Sequence, residues 1–584
     1  MRITFCRQRY FREPRVATSF IRKLTLTLLL TGTALPASAD GLSGSYLAAR
    51  QATYASDYET AARYYTRALA RDPSNPLLLE SAVLAYLSTG NLETALPVAR
   101  KIVNDGLESQ LAEMVVAAGW VKQGDYATLL DALANDDGIG HLVDGLITAW
   151  AHMGAGDMTQ ALEAFDSVAK EPGFSGFAAY HKALALASVG DYEGAEAIYA
   201  NQENGAIQNT RRGIMALLEI LSQLDRNEDA VAMMDEMFQG DLDPDLENAR
   251  TRLAAGERLP FTHVRGATDG VAEVFFTLAR ALENEAAPDY VLLYSRIAQY
   301  LRPDHFEALL LSAGLLEQLG QYDLSTKAYK QVPQDHPSYH AAELGRAEAL
   351  RRADKPEAAI EVLEQLARSH GDLSIVHSSL GDMLRQQRDF AGAVVAYNRA
   401  LDLSSEKDRS RWFLYYARGI GHERMGDWGK SEADFRTALE LNPEQPQVLN
   451  YLGYSLVEKQ IKLDEALNMI ERAVAAQPDS GYIVDSLGWV LYRLGRYDEA
   501  VDHMERAAEL MPIDPVVNDH LGDVYWAVGR TLEAEFQWKR ALSFVDEETA
   551  EEAKPDRIRR KLEVGLDVVL EEEGSDPLKV ANDG

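Results

Sequence analysis

Cysteine is nearly absent from this chain of 584 residues, which contains a single one, Cys6. One cysteine forms neither an internal disulfide nor a cysteine zinc site. Basic residues are also scarce, because 58 Lys and Arg stand against 91 Asp and Glu and give a formal net charge of -33. Such a chain repels a phosphate backbone, which argues against nucleic acid as a partner. A hydrophobic content of 46% with 26% charged residues argues against wholesale disorder and against a polytopic membrane protein.

The N-terminal residues predict an export signal. Basic residues dominate the first 23 positions, and a twelve-residue apolar run from Leu24 to Leu35 follows. That run is shorter than the roughly 20 residues that a membrane-spanning helix needs. Ala37-Ser38-Ala39 then matches the small-residue pattern of a cleavage site, which predicts a signal peptide over 1–39 and a mature start at Asp40. An uncleaved anchor is the alternative.

Cleavage at that point has two consequences. It removes Cys6 with the signal, so the mature chain has no thiol nucleophile. It also leaves no lipid-acceptor cysteine at the cleavage point. We therefore expect a protein of the bacterial periplasm that is not a lipoprotein and has no transmembrane segment after signal cleavage.

An internal repeat dominates the rest of the chain. In the second half of the chain, small residues, here called anchors, recur at steps of 34, 34, 34, 38, 34, 35 and 34. In the first half, anchors with a weaker surrounding pattern recur at steps of 34, 34, 32, 34 and 35. The first-half anchors are Ala49, Val83, Ala117, Ala149, Ala183 and Leu218. The second-half anchors are Ala279, Ala313, Ala347, Gly381, Gly419, Gly453, Gly488 and Gly522.

Other positions recur at fixed distances from the anchors. Sixteen residues after an anchor a large side chain is found, as at Tyr397 and Trp538, and 24 residues after it a proline, as at Pro443 and Pro512. Small residues let two helices cross closely, and proline ends the second helix. The pattern predicts an all-α solenoid of helical hairpins, a right-handed superhelix with about 14 repeats in two arrays.

The pattern also predicts domain boundaries. Between about Gly240 and Val271 it breaks, which indicates either a joint between two arrays or two degenerate repeats. After Leu542 an acidic stretch leads to a helix suited to cap the last repeat, with Ile558, Leu562, Leu566 and Val569 at helical spacing. We therefore expect an N-terminal array over 40–239, a joint over 240–271, a C-terminal array over 272–545, a capping helix over 546–572 and a disordered tail over 573–584.

Catalytic and metal motifs are poor matches. Gly429-Lys430-Ser431 resembles the end of a phosphate-binding loop, but Arg424 stands where that loop requires glycine. His336 and His340 are separated by Pro337, which breaks the helix that would bring them together. No catalytic, cofactor-binding or metal-binding residue is predicted, and the chain is expected not to be an enzyme.

The superhelix offers a groove instead. If the anchor is position 8 of a repeat, positions 2, 5, 6, 9, 12 and 13 of its first helix point into the concave face. Aromatic side chains with polar neighbours at these positions are typical of protein-binding anchors, although packing between repeats is an equal alternative for each residue. The predicted partner-binding groove consists of Phe413, Tyr416, Asn450, Tyr451, Tyr454, Tyr482, Asp485, Trp489, Tyr492, Arg493, Asp519, His520, Asp523 and Trp526.

The anchors resemble the tetratricopeptide repeat family over almost the whole mature chain. More narrowly, the stretches Asp485–Gly495, His520–Trp526 and Gly270–Glu273 resemble large exported bacterial repeat proteins. That group includes the lipoprotein adaptor of the periplasmic carboxyl-terminal processing protease. The resemblance implies an adaptor that delivers substrates, such as peptidoglycan hydrolases, to a protease. The missing lipid-acceptor cysteine is a departure from that adaptor.

Three functional classes follow. The first is a non-enzymatic scaffold whose groove binds exported or envelope proteins, with a carboxyl-terminal processing protease and its substrates as candidates. Binding of acidic tails is disfavoured within it, because the groove positions carry more Asp than Lys or Arg. The second class is a structural part of an envelope export or polysaccharide assembly machine. The third, a glycosyltransferase-like enzyme, is disfavoured because only about 40 residues follow the last repeat.

Overall fold

The computed structural model describes residues 41–135, 138–200, 210–238, 242, 244–405, 408–547, 549–574 and 578. These residues form helices and the turns between them, with no strand among them. The predicted signal peptide lies outside the described residues, as does most of the predicted disordered tail. No helix within the described ranges is both long and apolar enough to span a bilayer.

Helices follow one another as antiparallel hairpins. The N-terminal hairpins are α1 (Leu42–Tyr54) with α2 (Tyr58–Leu69), α3 (Pro76–Ser88) with α4 (Leu92–Asn104), α5 (Gln110–Gln123) with α6 (Tyr126–Ala134), α7 (His141–Gly154) with α8 (Met158–Ala169), α9 (Ser175–Ser188) with α10 (Tyr192–Ala200), and α11 (Arg211–Gln223) with α12 (Asn227–Phe238). A lone helix, α13 (Pro244–Ala254), packs on α12.

Eight further hairpins follow. They are α14 (Ala267–Leu282) with α15 (Pro288–Leu301), α16 (Phe306–Gln318) with α17 (Tyr322–Tyr329), α18 (Tyr339–Arg352) with α19 (Pro356–Ser369), α20 (Ser374–Gln386) with α21 (Phe390–Leu403), α22 (Trp412–Arg424) with α23 (Trp428–Leu441), α24 (Pro446–Glu458) with α25 (Leu463–Ala476), α26 (Gly481–Arg493) with α27 (Tyr497–Leu510), and α28 (Pro515–Ala527) with α29 (Thr531–Phe544). The chain ends in α30 (Ala550–Ala553), α31 (Pro555–Val564) and α32 (Leu566–Glu572).

The repeat prediction is confirmed, since every predicted anchor is buried in the first helix of a hairpin. The glycine anchors show why small residues are needed. A Cβ on Gly522 would lie 2.4 Å from Trp538 Nε1, and one on Gly381 would lie 2.7 Å from the ring of Tyr397. The large residue sixteen positions after the anchor therefore packs directly on it. This contact fixes how closely the two helices of a hairpin approach.

Local signals start and end the helices. Asp57, Asp157 and Asp389 each precede a second helix and accept a backbone N–H of its first turn. Between the helices of other hairpins, Gly426 and Gly495 have φ of 80° and 75°, a conformation that glycine adopts without strain. Short-range sequence therefore defines each hairpin before any packing between repeats.

The hairpin α14–α15 packs back on the N-terminal repeats. It contacts α3, α5, α7 and α9, which are first helices of four successive hairpins. Gly270 makes this possible, because a Cβ there would lie 2.2 Å from the ring of Trp150. Lys122 Nζ also donates to the carbonyl of Tyr300 at 2.8 Å. One hydrophobic cluster thus runs from Ala49 to Leu316, and the segment before α14 contains α13 followed by non-helical chain from 255 to 266.

Candidate protein-binding groove

The first helices of the C-terminal repeats form a continuous face. Neighbouring first helices contact one another from α18 to α22 and from α24 to α28. The ring of Tyr416 on α22 lies 6.0 Å from that of Tyr451 on α24, which joins the two runs into one surface. Pro446 and Pro515 open α24 and α28, and the Asp514 side chain accepts the N–H groups of Val516 and Val517. The anchors face the second helices, which leaves the opposite side of each first helix for the groove.

The predicted aromatic residues divide into two groups. Phe413, Tyr451, Tyr454 and Trp526 are half-buried, and Tyr482 is 40% exposed. Tyr416, Trp489 and Tyr492 are buried, with exposed fractions of 8%, 7% and 6%. The first group is placed at the surface of the groove, whereas the second belongs to the packing between repeats.

The buried aromatic residues form a stack. The ring of Trp489 lies 4.9 Å from that of Tyr492 and 4.0 Å from that of His520, in nearly parallel planes. Its Nε1 donates to Glu458 at 2.8 Å. Offset stacking of this kind contributes about 1 kcal/mol per pair beyond the area it buries. The main role of Trp489 in this structure is therefore to join α26 to α24 and α28.

The predicted acidic residues of the groove are paired. Asp485 lies 3.1 Å from His520 Nδ1, and although burial alone would lower the pKa of His520, this carboxylate raises it. Lys561 of α31 is fully buried and donates to Asp519 at 2.8 Å and to Asp523 at 2.6 Å. Burial raises the pKa of Asp519 in spite of Lys561. The groove therefore offers little free negative charge at these positions.

The C-terminal helices lie against the last repeat. Ile558 and Leu566 are buried in the cluster of α22 to α29, and Leu562 packs on its edge. Trp526 Nε1 donates to Asp567 at 2.9 Å, and Arg557 lies 3.4 Å from Asp523. Trp526 is thus covered in part by the cap.

Asn450 and Arg493 complete the predicted set. Asn450 is 7% exposed, and its Oδ1 accepts no hydrogen bond within the described part of the chain. Such a buried acceptor has a cost unless a donor reaches it. Arg493 is half-buried beside Tyr454 and Tyr492. Both residues place polar groups among the aromatic side chains.

A second polar cluster, in the N-terminal half, was not predicted from the sequence. Arg212 of α11 forms a bidentate pair with Glu273 of α14, at 2.7 to 2.9 Å, and reaches Glu307 at 2.8 Å. Tyr180 donates to Glu273 at 2.9 Å, and His305 lies 3.4 Å from it. Burial alone would raise the pKa of the Glu273 carboxyl, but Arg212 holds it well below its usual range. This cluster ties α14 to α9, α11 and α16.

Some signal for the missed residues was present. Arg424, a half-exposed basic residue at the end of α22, occupies position 13 of its repeat, which the groove scheme includes. Glu273 lies in the stretch Gly270–Glu273, which carried part of the family resemblance. Lys561 had no signal, because its sequence context is that of a surface lysine.

Comparison with protein families agrees with this architecture. A family model described as tetratricopeptide repeat matches residues 46–107, 148–205, 344–408 and 458–515, and another with the same description matches 412–445. The chain carries tetratricopeptide repeats. These repeats form protein-binding scaffolds and are in general non-catalytic.

Individual relatives match over shorter stretches. A TPR repeat-containing protein of Pseudomonas aeruginosa is 35% identical over 83 residues, which is 14% of each chain. A lipoprotein NlpI homolog of Haemophilus influenzae is 33% identical over 107 residues, 18% of this chain and 33% of that one. The alignments thus span a third or less of these relatives. Among solved structures, the APC/C hetero-tetramer Cut9-Hcn1 is similar, with 14% identity, coverage of 88% of this chain and 96% of that one, and a TM-score of 0.37.

Proposed function

We propose that this chain is a non-enzymatic adaptor of the bacterial periplasm, whose C-terminal groove binds a segment of another exported protein and brings it to an envelope protease. The groove is the surface defined by Phe413, Tyr451, Tyr454, Tyr482 and Asn450 on α22, α24 and α26. Partner recognition combines aromatic anchors with polar contacts along the partner backbone.

The observation that carries the proposal is the difference between the two halves of the chain. In the N-terminal half the face of the first helices is covered by α14–α15. In the C-terminal half the same face keeps half-buried aromatic side chains and the buried acceptor of Asn450. Aromatic side chains with part of their surface exposed provide large contact area at low entropic cost. The C-terminal half is therefore the half suited to a partner.

Two lines of support concern the location and the protease. The predicted signal over 1–39 and the match to a lipoprotein NlpI homolog support an envelope location. Delivery to a carboxyl-terminal processing protease is inferred from the resemblance to exported adaptors. The partner-binding step does not depend on that assignment.

The test is affinity capture from a periplasmic extract followed by mass spectrometry. The test variant replaces Phe413, Tyr454 and Tyr482 with Ala. Truncating one interface aromatic typically costs about 2 kcal/mol, roughly thirtyfold in affinity. We therefore expect the variant to lose its partners. Trp489 is left unchanged, because it is buried in the stack and its loss would unfold the repeat.

The matched control replaces two exposed apolar residues elsewhere. Leu532 and Phe536 lie on the second helix α29 and are 79% and 62% exposed. Their replacement with Ala should leave capture unchanged. Circular dichroism should show that both variants are folded at the temperature of the capture experiment. Equal recovery of the same partners by the folded groove variant and by wild type would contradict the proposal.

A further inference from the structure

An acidic segment of the chain itself lies over the C-terminal groove. It runs from 546 to 553, between α29 and the cap, and the structure describes all of it except residue 548. Thr549 N–H donates to Asp546 at 2.9 Å, which starts the single turn α30. Ala553 is 4% exposed and α30 contacts α28. Residues 549–553 are therefore packed against the repeats.

Two glutamates of the segment face basic residues of distant repeats. Glu551 lies 2.6 Å from Arg388, in the turn between α20 and α21. Burial is the largest influence on the pKa of both Arg424, at the end of α22, and Tyr454 of α24, and it lowers the first and raises the second. Glu552 is close enough to both groups for its charge to raise both pKa values. The segment thus spans the first-helix side of the repeats from α20 to α28.

The charges left in the groove suit such a segment. The three predicted aspartates are paired by His520, Lys561 and Arg557 of the chain itself. The argument from the sequence against acidic ligands counted those aspartates as free, and the structure removes that argument. Arg388 and Arg424, 63% and 50% exposed, are positioned to meet an acidic ligand, and Arg424 also lies 3.5 Å from Glu423 of its own helix.

We propose that residues 549–553 of this segment occupy the groove as an intramolecular ligand, and that the partner segment is an acidic peptide which displaces them. This inference rests on the proposed function and specifies the chemistry of the partner. The Glu551 and Arg388 side chains are mostly exposed, and exposed ion pairs are weak. The tether compensates, because a short linker gives an effective concentration in the millimolar range. The segment therefore occupies the groove yet remains displaceable.

The test uses a fluorescent peptide with the sequence of residues 545–553, added to the full-length protein and followed by anisotropy. We expect weak binding to wild type. The E551A/E552A variant should bind the peptide about tenfold or more tightly, because its own segment no longer competes. Adding R388A and R424A to that variant should abolish binding. Binding should also weaken as salt rises from low to physiological concentration.

A matched control separates a specific effect from a change in net charge. Glu563 is 66% exposed on α31 and pairs with Arg560 of the same helix. E563A should bind the peptide as weakly as wild type does. Equal binding by wild type and E551A/E552A would overturn the proposal, and so would binding that survives R388A and R424A.

The two proposals fail in different ways. If partners are captured through Phe413, Tyr454 and Tyr482 but the peptide does not bind E551A/E552A, the groove is a partner site and the acidic-ligand inference is wrong. If the peptide binds E551A/E552A through Arg388 and Arg424 but the aromatic variant captures every partner, the intramolecular ligand stands and the proposed function is wrong.

Discussion

Replacing Arg212 with Met is the sharpest test of how the N-terminal half is held together. The change removes the bidentate partner of Glu273, whose side chain is fully buried. Breaking a buried ion pair by removing one partner typically costs about 3 to 5 kcal/mol, because the remaining charge is desolvated and unpaired. For a unit of this size, 1 kcal/mol shifts the melting temperature by about 2 to 4 °C. We therefore expect the N-terminal transition to fall by roughly 10 °C at pH 7.5.

The pH dependence of that loss has a defined sign. Without Arg212, burial is the dominant influence on Glu273, opposed by the hydrogen bond and charge of His305, and we expect it to raise the pKa above the value in the unfolded chain. A group of this kind destabilises the folded state above its unfolded pKa, and the penalty shrinks as the pH falls and the carboxyl binds a proton. The difference in melting temperature between R212M and wild type should therefore be smaller at pH 5.5 than at pH 7.5.

Scanning calorimetry and hydrogen exchange of α9 and α14 measure these effects. The matched control is Arg226→Met, because Arg226 pairs with Glu196 and Asp229 in exposed positions. Such surface pairs contribute about 0 to 1 kcal/mol. If the N-terminal transition of R212M has the same melting temperature as those of R226M and wild type, the buried cluster does not stabilise the N-terminal half and the reasoning is refuted.

Two further predictions concern the C-terminal half and its cap. Gly522→Ala should destabilise the last repeat by roughly 1 to 3 kcal/mol, because the added Cβ meets Trp538. Gly314→Ala should be neutral or stabilising, because no atom lies within 4 Å of its added Cβ. Equal denaturation midpoints for the two variants would contradict this prediction. Lys561→Met should loosen the cap and raise hydrogen exchange in α31, because it removes the lysine from the buried carboxylates of Asp519 and Asp523 and leaves Asp523 with the more distant Arg557. Arg559→Met, at a 60% exposed position, should not have this effect. Unchanged protection in the Lys561 variant would show that the cap is held without this buried ion pair.

The hairpins could be predicted because their signals are local. Anchors such as Gly381 and Gly522 contact a residue sixteen positions later in the same hairpin, so the spacing records the packing directly. The same spacing places Tyr482 and Trp489 on the first helix of one repeat. The spacing does not record what covers each side chain. It therefore could not predict that Trp489 is stacked and buried while Tyr482 is 40% exposed.

The contacts missed from the sequence join residues far apart in the chain. Gly270 packs on Trp150, and Glu273 meets Arg212, across intervals that no periodic pattern records. Lys561 likewise reaches Asp519 from the cap. These pairings depend on how the chain turns back on itself, which hydrophobic periodicity does not encode. The sequence could assign the half-buried groove residues to one face of the first helices. It could not predict which side chains pair across distant parts of the chain.

The hairpin α14–α15 has a consequence for how the chain can change in evolution. In an ordinary solenoid each repeat contacts only its neighbours, so repeats can be gained or lost with little effect elsewhere. Here α15 touches both α3 and α5, and Lys122 holds the carbonyls of Tyr300 and Leu301. Inserting or deleting one repeat between them would move these partners out of reach. The number of N-terminal repeats is therefore fixed by geometry.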